Sequence, residues 1–433
     1  MLLAQKSLPC LLLAIGLITL AVNSQAADRY VLEKVVEVSR HGVRPPTADN
    51  RQSMQVATGR EWPLWVTHDG ELTGHGYAAA ELKGRYEAAY YRQQGLLTTG
   101  CPKKGDVYVW ASPLQRTRAT AQALLDGAFP GCGVVVHFIS RGLDPLFQTD
   151  KMGLAPLNPL KTRAGVLAAT GGDLVQVQHR FQADVERLKA AVCPPGQACP
   201  VFAQPWRLTQ QPDGRVGISG LGVLSNMAET IRLEYSENLP LAQVAFGHAA
   251  NALQVSRLMP LLTARYDYTN DVPYIARRGG SVLLNQILLA LDPPRGHSSR
   301  SAVALEGLPP DASWLLYVAH DTNIAYLRTL LDFTWQLGVY PRGNIPPAGS
   351  LVFERWRDTQ DGERFLRLYF QAQSLDQIRN LTRLDAKQPL LKSEFNRPGC
   401  RVTAVGVLCP LAPAIKRIKR AIDPSAVTPV QYN

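Results

Sequence analysis

The sequence predicts an α/β protein: a mainly parallel β-sheet flanked by helices, with an α-helical cap domain inserted into it. Three observations carry that prediction. The runs "YVLEKVVEV" (30–38), "GDVYVWA" (105–111) and "SWLLYVA" (313–319) each read as a buried strand that gives way at once to a loop. Helical patterns separate the first of these runs from the second and follow the second, as strand–helix alternation in a parallel sheet requires. A long middle stretch is helical in pattern almost throughout, which fits an insertion between two halves of one sheet. The expected division is a signal segment at 1–26, a first α/β part at 27–144, a helical cap at 145–275 and a second α/β part at 276–433.

In chain order, residues 1–26 carry one charge, Lys6, then "LPCLLLAIGLITLAV", with small residues at the −3 and −1 positions of a cut after Ala26. That pattern reads as a cleaved secretory signal, and its apolar run falls short of the ~20 residues a membrane span needs. After the first strand comes "LTGHGYAAAELKGRYEAAYYRQQG", whose Leu82, Tyr86 and Ala89 fall on one helical face. After the second comes "SPLQRTRATAQALLDGA", opened by Ser112 and Pro113 and spaced helically at Leu114, Ala121, Leu124 and Leu125. The middle holds "DLVQVQHRFQADVERLKAAV", "LGVLSNMAETIRLEYSENL" and "LAQVAFGHAANALQVSRLM", interrupted by the turn-like "CPPGQACP" and "TQQPDGRVG".

Six cysteines follow the signal: Cys101, Cys132, Cys193, Cys199, Cys400 and Cys409. An even set suits an oxidising compartment. Spacing alone does not fix their pairing, although proximity favours Cys193–Cys199 and Cys400–Cys409 and leaves Cys101 with Cys132. No CxxC pair or histidine at ligand spacing suggests a metal site. The formal charge of +11 points to an anionic partner. The arginines are scattered and no basic run is interleaved with aromatics, so a small anionic substrate is expected and nucleic acid is not.

Ligands of open α/β sheets bind beyond the carboxyl ends of the strands. There the sequence sets "SRHGVRPPT" after the first strand, "SPLQRTR" after the second and "HDTN" after the third. Arg40, Arg44 and Arg116 in one place would repel one another unless a dianion such as phosphate sits among them. A neutral His41 at their centre is a competent nucleophile toward phosphorus, and Asp321 beside His320 can return a proton to the leaving alkoxide. That scheme requires no metal and no cofactor. Taken alone, an "RH" or "HD" dipeptide is usually a surface pair; His68-Asp69, a second "HD" in a polar loop, is read as solvent-exposed. The helical, metal-dependent phosphohydrolases also use an HD pair, but here the pair ends a strand. No G-x-S-x-G, P-loop or G-x-G-x-x-G is present.

"SRHGVRPPT" resembles the RHGxRxP signature of the histidine acid phosphatases, and "AHDTN" resembles their HD signature. "LFQTD" with "NPL", "LTGHG", "QRTRATA" and "PAGSLVFERWR" (347–357) are similar to the bacterial periplasmic branch of phytases and glucose-1-phosphatases. The resemblance implies a phosphoglycerate-mutase-like α/β domain with an inserted helical cap. It implies that His41 becomes the phosphohistidine, that Arg40, Arg44, Arg116 and His320 hold the phosphate, and that Asp321 donates the proton. Thr47, Thr322 and Met227 correspond to substrate-pocket positions. The same cysteine pairs correspond to three of the family's bridges.

The "HDTN" form and Gly42 resemble phytases, since glucose-1-phosphatases tend to have serine after HD and asparagine at the Gly42 position. Pro46 departs from an alanine common in phytases, and Glu229 falls one position out of register with a substrate-contacting glutamate. The expectation is therefore an exported, acid-working phosphomonoesterase acting on phytate, periplasmic or secreted, monomeric, and free of the membrane once the signal is removed. A glucose-1-phosphatase or broad acid phosphatase is the alternative within hydrolases. A phosphomutase or a phosphate-binding protein is the alternative outside them, disfavoured by the export signal, the paired cysteines and Asp321.

Overall fold

The computed structural model describes residues 29–149, 152–292 and 307–432. The expected signal segment, its cut after Ala26 and Asp150 of "LFQTD" lie outside the described residues. The strands are β1 (Tyr30–Arg40), β2 (Val107–Ala111), β3 (Val136–His137), β4 (Leu208–Gln210), β5 (Val216–Ile218), β6 (Trp314–Ala319), β7 (Ser350–Asp358), β8 (Arg364–Ala372), β9 (Leu391–Glu394), β10 (Arg401–Thr403) and β11 (Gly406–Pro410). Nine of them form one sheet in the order β10-β11-β8-β7-β1-β6-β2-β3, with β9 paired to β8. The sheet is mixed. Strands β1, β6, β2 and β3 are mutually parallel, and β7, β8, β9, β10 and β11 extend it by antiparallel pairing.

The three predicted runs are the adjacent strands β1, β6 and β2. Every residue of β6 is buried, because helices cover both faces of the parallel part. Alternate side chains feed alternate cores: Leu315, Tyr317 and Ala319 pack with Val36, Val38 and Phe353, whereas Trp314, Leu316 and Val318 pack with Val35, Val109 and Trp356.

One acid interrupts this pattern. Glu37 is fully buried on β1, and Lys83 Nζ donates to it at 2.7 Å and to Glu87 at 2.6 Å. Trp314 Nε1 also donates to Glu37, at 3.2 Å, and Gln371 Nε2 donates to Glu87 at 2.7 Å. Burial and the neighbouring Glu37 push Glu87 up to about 8. This cluster turns the helix Gly74–Gln93 away from the face predicted by its apolar spacing. Ala80, Lys83, Gly84, Glu87, Ala88 and Tyr91 are buried, while Leu82 and Tyr86 are half-buried and Ala89 is exposed. The same helix crosses Gln115–Ala128 through paired glycines: a Cβ at Gly84 would collide with the Leu124 carbonyl, and one at Gly127 with the Glu81 carbonyl.

The middle of the chain is mostly helical: Pro159–Ala169, Leu174–Arg180, Gln182–Val192, Leu221–Ser236, Ala252–Arg257, Pro260–Arg265 and Pro273–Leu291. Two local readings change. The predicted turn "TQQPDGRVG" is the tip of a two-stranded hairpin, β4–β5, closed by Gln211 N–H donating to Arg215 O at 2.9 Å. Only Ala252–Arg257 of "LAQVAFGHAANALQVSRLM" is α-helix. Its first half is a 3₁₀ turn, Val244–Gly247, with Ala245 and Phe246 at φ 48° and 55°. Disulfides join Cys101–Cys132, Cys193–Cys199 and Cys400–Cys409, the pairs expected. No helix among the described residues is long and apolar enough to cross a membrane.

Candidate active site

The parallel register builds the floor of the site. Arg40 lies opposite Ala319, and Ala111 lies opposite Val318. The residues that follow, His41, Ser112 and His320, therefore leave the same edge of the sheet side by side. The His41 and His320 rings meet edge-on, with centroids 5.8 Å apart, and Ser112 Oγ is 2.9 Å from His320 Nε2. Helices Ala48–Thr58, Gln115–Ala128 and Asp321–Leu330 start just beyond these three strand ends. Their N-termini add partial positive charge and orphan N–H groups to that edge, which favours anions.

The loop after β1 is fixed along its length. His41 N–H donates to Ala319 O at 3.1 Å, and Ala348 N–H donates to His41 O at 3.0 Å. Gly42 N–H donates to Thr120 Oγ1 at 2.9 Å, and Thr73 N–H donates to Val43 O at 3.0 Å. Position 42 is tightly packed: a Cβ there would lie 2.8 Å from Leu72 Cδ1, the end of a movable side chain, and 3.2 Å from Gly76 O.

These strand ends line a cavity of about 530 Å³, the size of an ordinary small-molecule site. Its wall holds His41, Arg44, Arg116, His320, Asp321 and Thr322 from the sheet edge, and Arg215, Asn226, Arg265, Thr269 and Asn270 from the middle of the chain. Among the described residues of the wall, four guanidiniums thus face one carboxylate, Asp321. His41 Nδ1 lies 2.9 Å from Gly42 O. A carbonyl only accepts, so Nδ1 carries the proton and Nε2 keeps its lone pair. Burial first, then Arg116, Arg40 and Arg44, hold the His41 pKa well below its usual 6.5, so the ring is neutral.

Arg40 lies behind the wall and is fully buried. Its guanidinium donates to Ile345 O at 2.6 Å and to Glu229, and it pairs with Asp321 at 3.2 Å. Arg44 donates to Pro45 O at 2.8 Å, and Arg116 donates to Gly70 O at 3.2 Å. Burial, followed by Arg44, pushes Arg116 down to about 10, still cationic in acid or at neutrality. The Nε atoms of Arg40, Arg44 and Arg116 are buried without a hydrogen-bond partner. Burial alone would raise the Asp321 pKa, but Arg40 foremost, with the Tyr266 hydroxyl and Arg44, drives it far below the carboxylate range.

Thr47 and Met227, expected on the pocket, are not on the cavity wall. Thr47 is the residue before the helix Ala48–Thr58, and Met227 is fully buried in the hydrophobic core. Glu229, which sequence reading set aside, is in the site: its two oxygens accept from Arg40 and Arg232. The spacing in "NMAETIR" carried that signal, because Asn226 and Glu229 at i and i+3 share a helix face while Met227 points to the core. Arg265, Asn270 and Tyr266 had no signal in the sequence. They come together at a π turn, Tyr266–Asn270, which helical periodicity does not foresee. His68 is exposed as expected, but its neighbour Asp69 is held by Arg51 at 2.6 and 2.9 Å.

The arrangement can bind a phosphoryl group among cations, attack it with Nε2 and exchange a proton at Asp321. Among the described residues, no group of three or more His, Cys, Asp or Glu side chains is disposed to hold a metal ion.

Comparison with known proteins agrees with this geometry. A model of the histidine phosphatase superfamily (branch 2) matches residues 31–371. The crystal structure of a phytase from Klebsiella sp. ASR1 superposes with a TM-score of 0.87 at 53% identity, over 92% of this chain and 98% of that one. The phytase AppA of Escherichia coli K12 is 29% identical, over 96% of this chain and 98% of its own. A glucose-1-phosphatase of Salmonella typhimurium is 31% identical, over 91% and 94%.

Proposed function

The chain belongs to branch 2 of the histidine phosphatase superfamily, and from that membership we propose an exported phosphomonoesterase that works through a phosphohistidine on His41 and takes phytate, myo-inositol hexakisphosphate, as its main substrate. The observation that carries the reading is a neutral His41, its Nε2 unprotonated, on a wall whose described residues include four guanidiniums and the carboxylate of Asp321.

Arg44, Arg116 and His320 hold the scissile phosphate, and Thr322 borders it. Arg40 adds its charge from behind and keeps Asp321 in place. Nε2 attacks phosphorus and the P–O ester bond breaks as the P–N bond forms. The departing alkoxide takes its proton from Asp321. Water then attacks the phosphohistidine and returns a proton to Asp321, and cleavage of the P–N bond restores the Nε2 lone pair.

Free Asp321 is ionised, so the proton it donates arrives with substrate. An incoming phosphate anion offsets the guanidiniums and raises the affinity of Asp321 for a proton, which favours work in acid. The three disulfides support export to an oxidising compartment.

Similarity to the Klebsiella phytase supports phytate. So does Gly42, where glucose-1-phosphatases tend to have asparagine. The test is a time course of inositol phosphates from phytate beside release from glucose 1-phosphate, with and without EDTA. Stepwise loss of phosphate from phytate, unaffected by the chelator, is expected. Preference for glucose 1-phosphate with phytate left intact would overturn the substrate assignment.

A further inference from the structure

Arg265 lines the same cavity as His41 but comes from a separate element, the residue before the π turn Tyr266–Asn270. That turn also supplies Thr269 and Asn270 to the wall, and Thr269 Oγ1 donates back to Arg265 O at 2.7 Å. Isolated π turns recur at functional sites.

The way Arg265 is held distinguishes it from Arg40 and Arg215. Its Nη1 donates to Asn226 Oδ1 at 3.0 Å, and Asn226 Nδ2 donates to Asn50 Oδ1 at 3.1 Å. A guanidinium only donates, so the Asn226 oxygen must face it and the Asn226 amide group must face Asn50. Both acceptors are neutral amides, and the chain therefore orients the guanidinium without cancelling its charge. By contrast Arg40 is matched by Glu229 and Asp321, and Arg215 by Asp213. No carboxylate pairs with Arg265 among the described residues. Asn50 belongs to the helix Ala48–Thr58, which begins at the phosphate loop, so the relay ties Arg265 to that loop's own helix.

Arg44 and Arg116, at the sheet edge, suffice for one transferred phosphate. The cavity is far larger than one phosphate group, and Arg265 adds a cation that no carboxylate among the described residues pairs with, on the part of its wall built by the middle of the chain. Taking the phosphomonoesterase reading as its basis, we propose that Arg265 is a specificity-determining residue: it receives a second, unreacted phosphate of a polyphosphorylated substrate, and Asn226 holds it ready.

The experiment compares kcat/KM on phytate, fructose 1,6-bisphosphate and p-nitrophenyl phosphate for the parent, Arg265→Gln and Asn226→Asp. The second variant leaves Arg265 in place and neutralises it with a nearly isosteric carboxylate, which keeps the test decisive if the first folds poorly. In both variants the polyphosphate-to-monoester ratio should fall about ten-fold, the size of one charged hydrogen bond. A ratio within about two-fold of the parent's in a folded variant overturns the proposal. A parent that ignores phytate but hydrolyses the bisphosphate refutes the phytate assignment alone, and the bisphosphate ratio then decides Arg265. A parent inert on all three overturns both.

Discussion

Glu229→Gln removes one charge and almost no volume from the centre of the site. The Glu229 carboxylate joins two fully buried guanidiniums, Arg40 and Arg232, one to each oxygen. A glutamine can accept from only one of them, and its NH₂ group then faces the other donor. Leaving a buried charge uncompensated costs about 3–5 kcal/mol. At roughly 2 °C per kcal/mol for a large chain, the melting temperature should fall by about 6–10 °C. The pH dependence has a definite sign. Burial would raise the Glu229 pKa, but Arg232 and Arg40 bring it below its ordinary value of 4.5. Such a carboxylate stabilises fully above that ordinary value and loses its contribution as pH falls through the lower folded-state value. The gap between parent and variant should therefore be complete at pH 6 and narrow below about 4. Activity should change as well: freed of Glu229, Arg40 binds Asp321 alone and holds it ionised more firmly. Alkyl phosphates, whose leaving groups need a proton, should then slow more than p-nitrophenyl phosphate. The assay is thermal unfolding across pH 3–7 with kinetics on both esters. Equal melting temperatures at pH 6 with an unchanged leaving-group profile would refute the reasoning.

Three further outcomes follow from the same geometry. Asp321→Asn should slow alkyl phosphates far more than p-nitrophenyl phosphate; equal losses on both would make Asp321 a structural residue. Because burial and three arginines hold His41 neutral well below pH 6.5, kcat/KM on p-nitrophenyl phosphate should persist in acid, and a loss centred near 6.5 would contradict that. Gly84→Ala should destabilise by about 1–3 kcal/mol or more despite its better helix propensity, because the new Cβ meets the Leu124 backbone rather than a movable side chain. An unchanged melting temperature would show that the two helices can part freely.

The parallel part of the fold was legible because β1, β6 and β2 are covered on both faces, and so must be apolar at nearly every position. Their carboxyl ends then located His41, Arg44, Arg116, His320 and Asp321 from adjacency alone. Legibility failed where a buried charge competes with hydrophobic periodicity. Glu37 requires Lys83 and Glu87 on the covering helix, and that requirement sits 46 residues away from its cause. It failed again at the π turn, whose period is neither that of a helix nor that of a strand. Glu229 and Arg265 share this difficulty: each gains its role from partners on other elements, Arg40 for the one and the Asn226–Asn50 relay for the other. Met227 shows the converse, since its residue type suited a pocket while its place on the helix Leu221–Ser236 buries it completely.

The central claim is that phosphate passes through His41 Nε2. Rapid mixing with ³²P-labelled substrate, quenching in alkali and mapping of the labelled peptide test it directly. The account predicts a transient label on the peptide that contains His41, at Nε2, absent in His41→Ala and prolonged in Asp321→Asn. Label on His320 instead, or full turnover with no labelled protein at any time, would contradict it.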